Sequence, residues 1–165
     1  RLLPEHSKAL GAAVEAIHSA DMIVLAPGSL YTSIIPNLLV DGIADAIRDS
    51  KALKLYVCNV MTQEGETEGY TVSDHIQALF SHSYPGLFRL CLTNSTPIPE
   101  VIALRYAQEG AEPIRHDVEK CRALGVELID RPVAALENGL VRHNPGHLAH
   151  ELMTIYEEYK PKDPA

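Results

Sequence analysis

The chain has 165 residues, of which 46% are hydrophobic and 22% charged, an ordinary globular composition that excludes a disordered or fibrous protein. Its net charge of -8 disfavours general nucleic-acid binding, because an acidic chain gains little counterion release at phosphates. A few local donors are enough to bind a phosphorylated small molecule, so the charge does not exclude a nucleotide ligand. The length predicts a single domain over residues 1–165.

The cysteine pattern and the apolar runs bear on the compartment. Cys58, Cys91 and Cys121 are widely spaced and form no CxxC pair, which argues against a disulfide framework or a structural zinc site. No apolar run reaches membrane-spanning length, and no signal peptide is visible. We therefore expect a cytoplasmic protein with no membrane partner. Residues 1–4 lack a start methionine and resemble the end of a strand, so we interpret Arg1 as a cut point in a longer chain.

The first half of the chain alternates between helical and strand patterns. Apolar residues recur at helical spacing between Leu10 and Ile17, and short apolar runs such as 21–26 are typical of buried strands in a parallel sheet. The elements predicted here are a helix over 5–20, a strand over 21–26, a polar turn over 29–33, a helix over 34–50, a strand over 54–60, a polar loop over 61–70 and a helix over 71–82 capped by Thr71 or Ser73.

The second half continues the alternation and ends with a hairpin signal. Asn138-Gly139 between two short apolar runs indicates a two-residue β-turn. The elements predicted here are a strand over 90–93, a helix over 100–108, a helix over 117–124, a strand over 126–129, hairpin strands over 134–137 and 140–142, and a helix over 145–159. This order predicts a three-layer α/β fold with a mainly parallel sheet and a small C-terminal β-hairpin.

Two polar loops follow neighbouring predicted strands, at the sheet edge where α/β proteins bind ligands. The first begins at Pro27-Gly28 and opens a helix, whose free N–H groups suit an anion. It is not a P-loop, and a tight turn with capping hydroxyls is the simpler alternative. In the second loop Glu66 could bind a hydroxyl or a cation, and the alternative is a solvated loop. The candidate ligand contacts are Gly28, Ser29, Leu30, Thr32 and Ser33 in the first loop, and Asn59, Thr62 and Gln63 in the second.

Further along the chain, other side chains could carry chemistry. His75 and His82 share a helix face, but a pair at this spacing is more often structural, so we expect no metal and no cofactor. Arg105 could pair with a diphosphate, and Tyr106 could stack on a base or sugar. The pattern alone favours a surface Arg105 and a half-buried Tyr106 without a ligand. Arg142 closes the predicted hairpin and is likewise either a ligand contact or a surface residue.

Several segments resemble the YvcK-like gluconeogenesis factors (UPF0052) of the CofD-like superfamily. In particular, Pro27 to Val40 reads PGSLYTSIIPNLLV, a specific motif of that family, and the resemblance covers nearly the whole chain. The family shares its fold with the 2-phospho-L-lactate transferases of deazaflavin-coenzyme synthesis, which typically carry a GPSNP-like turn at this place. The similar segments are 20–40, 56–67, 69–71, 74–75, 105–106, 110–113 and 142–143.

This resemblance implies a Rossmann-like protein that binds a UDP-sugar such as UDP-N-acetylglucosamine and is linked to gluconeogenic growth, cell wall synthesis and cell shape. It implies that Tyr106 and Arg142 contact the ligand, and a homodimer is plausible from the fold family. Two departures stand out: Ala26 replaces the usual Gly before Pro27, and the family's N-terminal strand and Gly-rich nucleotide loop are absent. In addition, Asn144-Pro145 stand where some relatives have a phosphorylatable Thr. The chain therefore resembles the C-terminal portion of a larger domain, truncated at its N-terminus.

Two alternatives remain open beside a nucleotide-sugar sensor. One is a phospholactate transferase-like enzyme, in which a carboxylate such as Glu66 or Asp74 places the cation that holds a diphosphate. The other is a scaffold half that binds nothing on its own.

Overall fold

The computed structural model describes residues 6–160. Its main sheet has the strand order β1-β2-β3-β4, and all neighbouring strands run parallel. In the register, Val57 pairs with Leu92, which pairs in turn with Ile129. The predicted parallel sheet is therefore confirmed. The strands are β1 (Met22–Leu25), β2 (Leu53–Val57), β3 (Leu90–Asn94) and β4 (Glu127–Arg131), followed by the antiparallel pair β5 (Ala134–Glu137) and β6 (Leu140–His143).

Helices cover both faces of this sheet, which gives the predicted three layers. Side chains along β2 alternate between the two faces of the sheet. Leu55 and Val57 pack in one hydrophobic cluster with Ile155, whereas Tyr56 packs in a second cluster with Ile76. Each fully buried aliphatic side chain stabilises the fold by about 1.5–3 kcal/mol. Among residues 6–160, no helix is long and apolar enough to cross a membrane. The helices are α1 (Gly11–Ser19), α2 (Ile35–Leu38), α3 (Ile43–Asp49), α4 (Val72–Ser81), α5 (Glu100–Gln108), α6 (Val118–Ala123) and α7 (Pro145–Tyr159).

The structure corrects two predicted helices. The helix predicted over 34–50 is two short helices, α2 and α3, separated at Gly42, whose φ of 94° is left-handed. The predicted helix 5–20 begins only at Gly11, because Asp41 forms backbone hydrogen bonds with Ser7 and Ala9 at 2.8 and 3.0 Å. This contact joins the two segments in which the predicted helices differ from the structure. The proposed strand end at residues 1–4 lies outside the described residues.

Two carboxylates organise the start of α4. The Thr71 N–H donates to Asp74 at 2.8 Å, which confirms Thr71 as the cap residue. Asp117, from the turn before α6, accepts the backbone N–H of Ser73 at 2.9 Å and the hydroxyl hydrogen bonds of Ser73 and Thr71 at 2.5 and 2.8 Å. Asp117 thus joins α4 to α6, a role that the local sequence pattern does not reveal.

The hairpin forms as predicted, and α5 packs against it. Asn138 and Gly139 have φ values of 50° and 75°, as a turn with two left-handed residues requires. A Cβ at Gly139 would lie 2.8 Å from an Arg105 guanidinium nitrogen, so the end of this flexible side chain would have to move if Gly139 were replaced. The Tyr106 hydroxyl accepts the N–H of Val141 at 2.9 Å. These contacts fix the hairpin beside the carboxyl ends of the parallel strands.

Candidate functional site: a crevice at the carboxyl ends of the strands

The two polar loops predicted to meet at the sheet edge are joined by Asn59. Its side-chain amide donates to the Gly28 carbonyl at 2.9 Å, and its side-chain oxygen accepts the Gly28 N–H at 3.2 Å. A second link is the 2.8 Å hydrogen bond from the Ser29 hydroxyl to the Gln63 side-chain oxygen. The adjacent parallel strands β1 and β2 deliver the loops to this edge, and these bonds hold them together.

The turn after Ser29 is wider than an α-helical turn. The Ile34 N–H donates to the Ser29 carbonyl at 3.1 Å, five residues back, so residues 30–34 form one π-helical turn before α2. Single π-turns of this kind are frequent at functional sites. The hydroxyl-bearing side chains of Thr32 and Ser33 are exposed on it, whereas Leu30 is fully buried in the core and anchors the turn.

Glu66 occupies the place where the sequence suggested an anion. One of its carboxylate oxygens accepts the backbone N–H groups of Tyr31 at 3.0 Å and Thr32 at 3.1 Å. Free N–H groups at a helix start favour negative charge, and here the chain supplies that charge itself. A phosphate bound at these two N–H groups would have to displace Glu66.

Behind Glu66 lies a group of aromatic side chains. The hydroxyls of Tyr31 and Tyr70 are 2.9 Å apart, and this hydrogen bond, together with burial, raises the pKa of Tyr31 to about 12.

His75 is fully buried, and burial lowers its pKa. Its Nδ1 contacts the Thr71 carbonyl at 2.9 Å, whereas His82 contacts that of Ala78 at 2.8 Å. Both histidines therefore contact their own helix, and residues 6–160 hold no group of three or more potential metal ligands.

Thr62 lies apart from the crevice. Its side chain is 4% exposed, its hydroxyl accepts the N–H of Glu112 at 2.8 Å, and its own N–H donates to the Glu112 carbonyl at 2.8 Å. Thr62 thus ties the second loop to the segment that follows α5. Its assignment as a ligand contact stays a prediction.

A cavity of about 360 Å³ connects the loops with the hairpin. Arg142 from β6 stands on one side of it, and Gly28 and Asn59 stand on the other. The Arg142 side chain is exposed, and it forms no hydrogen bond or ion pair with residues 6–160. Arg105 and Tyr106 do not line this cavity and instead contact the hairpin. The lining residues are Pro27, Gly28, Asn59, Val60, Met61, Val141, Arg142 and His143.

A second cavity of about 310 Å³ continues from Asn59 and Val60 towards the end of β3. Its wall includes Asn94, Thr96 and His116, none of which was predicted. The polar run from Thr93 to Thr96 after the third strand could have indicated this wall, by the same rule that indicated the first two loops. No local signal indicated His116.

The parallel sheet, its helical layers and the crevice at the carboxyl ends of the strands define a three-layer α/β protein. The chain belongs to the 2-phospho-L-lactate transferase CofD family, whose model matches residues 1–134. It is 45% identical over 152 residues to the gluconeogenesis factor of Halalkalibacterium halodurans, covering 92% of this chain and 47% of that protein. It is 41% identical over 157 residues to the gluconeogenesis factor of Bacillus subtilis, covering 95% and 50%.

A solved structure supports the same fold. A UPF0052-family protein from Bacillus halodurans superimposes with a TM-score of 0.85 at 46% identity, over 88% of this chain and 47% of that chain. The resemblance to the gluconeogenesis factors is therefore confirmed. The chain spans about half the length of the relatives that it matches.

Proposed function

We propose that this chain binds a nucleotide sugar, with UDP-N-acetylglucosamine as the representative ligand, in the crevice between the strand ends and the hairpin. The observation that carries the proposal is the cavity that joins Gly28 and Asn59 to Arg142. A concave site with a few converging polar groups is the usual form of a small-molecule site.

The diphosphate of the ligand would lie beside Arg142. This guanidinium is exposed and has no partner among the described residues, so it can form a bidentate contact with phosphate oxygens. The N–H groups of Tyr31 and Thr32 already bind Glu66, which argues against the turn as the primary phosphate site. Asn59 adds neutral hydrogen-bonding capacity between the two loops.

The names of the relatives suggest the biological setting. Proteins 45% and 41% identical to the chain are called gluconeogenesis factors. We propose that ligand binding regulates carbon metabolism, and with it cell wall synthesis and cell shape. An Arg142→Ala allele tests this: it should fail to restore growth on gluconeogenic carbon in a strain that lacks the gene, whereas the wild-type allele restores it. Full restoration by an allele shown to be binding-deficient contradicts the regulatory role.

A phospholactate transferase-like enzyme is the second candidate, favoured by the family model that covers residues 1–134. In that reaction an alcohol oxygen would attack the phosphorus that carries the lactyl group in a cation-held diphosphate, the P–O–P bond would break, and the nucleoside monophosphate would leave. One oxygen of Glu66 is engaged by the turn and the other is buried, so neither oxygen is open to a cation that enters from solvent. Incubation with a nucleotide-activated phospholactate and a deazaflavin alcohol decides the matter: transfer product supports the transferase, and its absence beside UDP-sugar binding supports the sensor.

Calorimetric titration with UDP-N-acetylglucosamine is the test of binding. The natural-length protein should bind it, while free N-acetylglucosamine, which lacks the diphosphate, should give little heat. The same titration with the 165-residue chain alone tests the scaffold alternative, in which this part binds nothing by itself. A folded natural-length protein that gives no heat with any UDP-sugar overturns the proposed function.

A further inference from the structure

The second cavity has the chemistry of a sugar site. Its wall combines the polar side chains of Asn59, Thr96 and His116 with the apolar side chains of Ile98 and Pro113. A pyranose ring presents hydroxyls at its edge and C–H groups on its faces, so it requires both kinds of contact.

His116 is held in one orientation by a carboxylate. Its Nδ1 lies 3.1 Å from a carboxylate oxygen of Asp130, and the buried Thr93 hydroxyl donates to the same oxygen. An acceptor at Nδ1 favours a proton on that nitrogen, which leaves Nε2 as an acceptor. Nε2 forms no hydrogen bond with residues 6–160, and 28% of the side chain is exposed. In its neutral form, the imidazole that lines the second cavity therefore has Nε2 free to accept a hydrogen bond.

The position of Thr96 is also fixed. Asn94 accepts the backbone N–H of Thr96 at 3.1 Å and that of Ala134 at 2.9 Å, and its amide donates to the Thr96 carbonyl at 2.9 Å. The Asn94 side chain thus ties the loop after β3 to the start of β5. This wall of the cavity is built by hydrogen bonds before a ligand binds, which reduces the entropy cost of binding.

We propose that this second cavity is the glycosyl subsite of the crevice, with His116 Nε2 accepting a hydrogen bond from a sugar hydroxyl. The inference rests on the proposed nucleotide-sugar function and deepens it. The two cavities share Asn59 and Val60, so one ligand can span both.

The charged side chains at the two ends of the crevice determine the orientation of the bound ligand. Arg142 stands at one end of the crevice and attracts the diphosphate, whereas the carboxylate of Asp130, beside the other cavity, repels it. The neutral sugar can approach Asp130 without this repulsion. The diphosphate therefore lies at the Arg142 end, and the sugar lies at the His116 end.

Comparison of two ligands tests the subsite. Affinities for UDP-N-acetylglucosamine and for UDP are measured by calorimetry with the natural-length wild-type protein and its His116→Ala, Thr96→Val and His150→Ala variants. His150 is exposed on α7 and serves as the matched control. His116→Ala should weaken UDP-N-acetylglucosamine about three- to tenfold, the value of one neutral hydrogen bond. The affinity for UDP should change by less than about twofold in this variant. This unchanged UDP affinity would show that the site is still folded.

The possible outcomes separate this inference from the proposed function. Selective loss of the sugar ligand in His116→Ala, with His150→Ala unchanged, supports the subsite. Equal loss for both ligands, or no loss for either, overturns it while leaving nucleotide-sugar binding intact. Should His116→Ala fail to fold, Thr96→Val decides by the same selectivity. A wild-type protein that binds neither ligand overturns the proposed function and the subsite together.

Discussion

Glu66 and Tyr31 are joined by a 3.0 Å hydrogen bond from the backbone N–H of Tyr31 to the Glu66 carboxylate, and the same oxygen accepts the N–H of Thr32. The carboxylate thereby neutralises the start of a π-helical turn that the sequence suggested as an anion site. The other Glu66 oxygen is buried without a hydrogen-bond partner. We infer that the Glu66 carboxylate holds the loop after β1 in its conformation. The loop therefore does not need a bound phosphate to adopt this conformation.

Removal of this carboxylate should destabilise the protein. Glu66→Ala leaves the N–H groups of Tyr31 and Thr32 without their acceptor, and hydrogen bonds to a charged group contribute about 1.5–3 kcal/mol. Glu66→Gln, which retains an acceptor oxygen, should cost less. The measurement is the free energy of unfolding by denaturant, with Glu64→Ala, at an exposed position of the same loop, as the control. Equal effects of Glu66→Ala and Glu64→Ala contradict the capping role.

Asp117 should make stability depend on pH in the acidic range. Burial acts to raise the pKa of its carboxyl, but hydrogen bonds from Ser73 and Thr71 outweigh burial and lower the pKa below the ordinary value. Because the folded-state pKa is lowered, this contribution to stability is complete at pH values above the ordinary pKa of about 3.9. It is lost as pH falls through the folded-state pKa. Asp117→Asn should therefore cost about 1–3 kcal/mol at neutral pH, and less as the solution is acidified.

The check is denaturant unfolding of wild type and Asp117→Asn between neutral and strongly acidic pH. Asp21→Asn, at an exposed position, gives the background effect of changing one carboxylate. If the difference in unfolding free energy between wild type and Asp117→Asn stays constant across this pH range, the charge of Asp117 does not contribute to stability.

Gly139 should be costly to replace, for two reasons that can be separated. Its φ of 75° costs an L-residue about 1–2 kcal/mol, and a Cβ there would force the Arg105 guanidinium to move. Gly125 has a similar φ of 78°, and a Cβ added there would meet nothing within 4 Å, so Gly125→Ala measures the backbone cost alone. Gly139→Ala should lower the free energy of unfolding at least as much as Gly125→Ala. A neutral Gly139→Ala beside a costly Gly125→Ala contradicts the backbone cost at the turn, and equal costs show that the Arg105 side chain moves aside without a penalty.

The sequence predicted those features that depend on neighbours along the chain. Asn138-Gly139 specifies its turn through local backbone preferences, and the short apolar runs over 21–26 and 54–60 predicted the buried parallel strands that form as β1 and β2. The division of the helix at left-handed Gly42 was missed, and the neighbouring Asp41 pairs with residues 7–9, which a local pattern does not reveal.

The candidate site shows the same division between local and distant effects. Strand-end position brought Gly28 and Asn59 together as predicted. It did not reveal that Glu66 fills the anion position, because an acceptor in a polar loop has no pattern that names its donor. Likewise, His116 and Asp130 meet only because the chain between them, including α6, returns to the same edge through β4.

The most direct test of the central claim, that the crevice beside the hairpin binds the ligand diphosphate, is the UDP-N-acetylglucosamine affinity of Arg142 variants. Arg142→Ala should weaken binding about tenfold or more, the effect of losing a charge-assisted contact of about 1.5–3 kcal/mol. Arg142→Lys should restore part of the affinity, because a point charge cannot reproduce a bidentate fork. The melting temperature of both variants should stay close to that of wild type, since Arg142 is exposed. Unchanged affinity in Arg142→Ala, with the fold intact, would contradict the account.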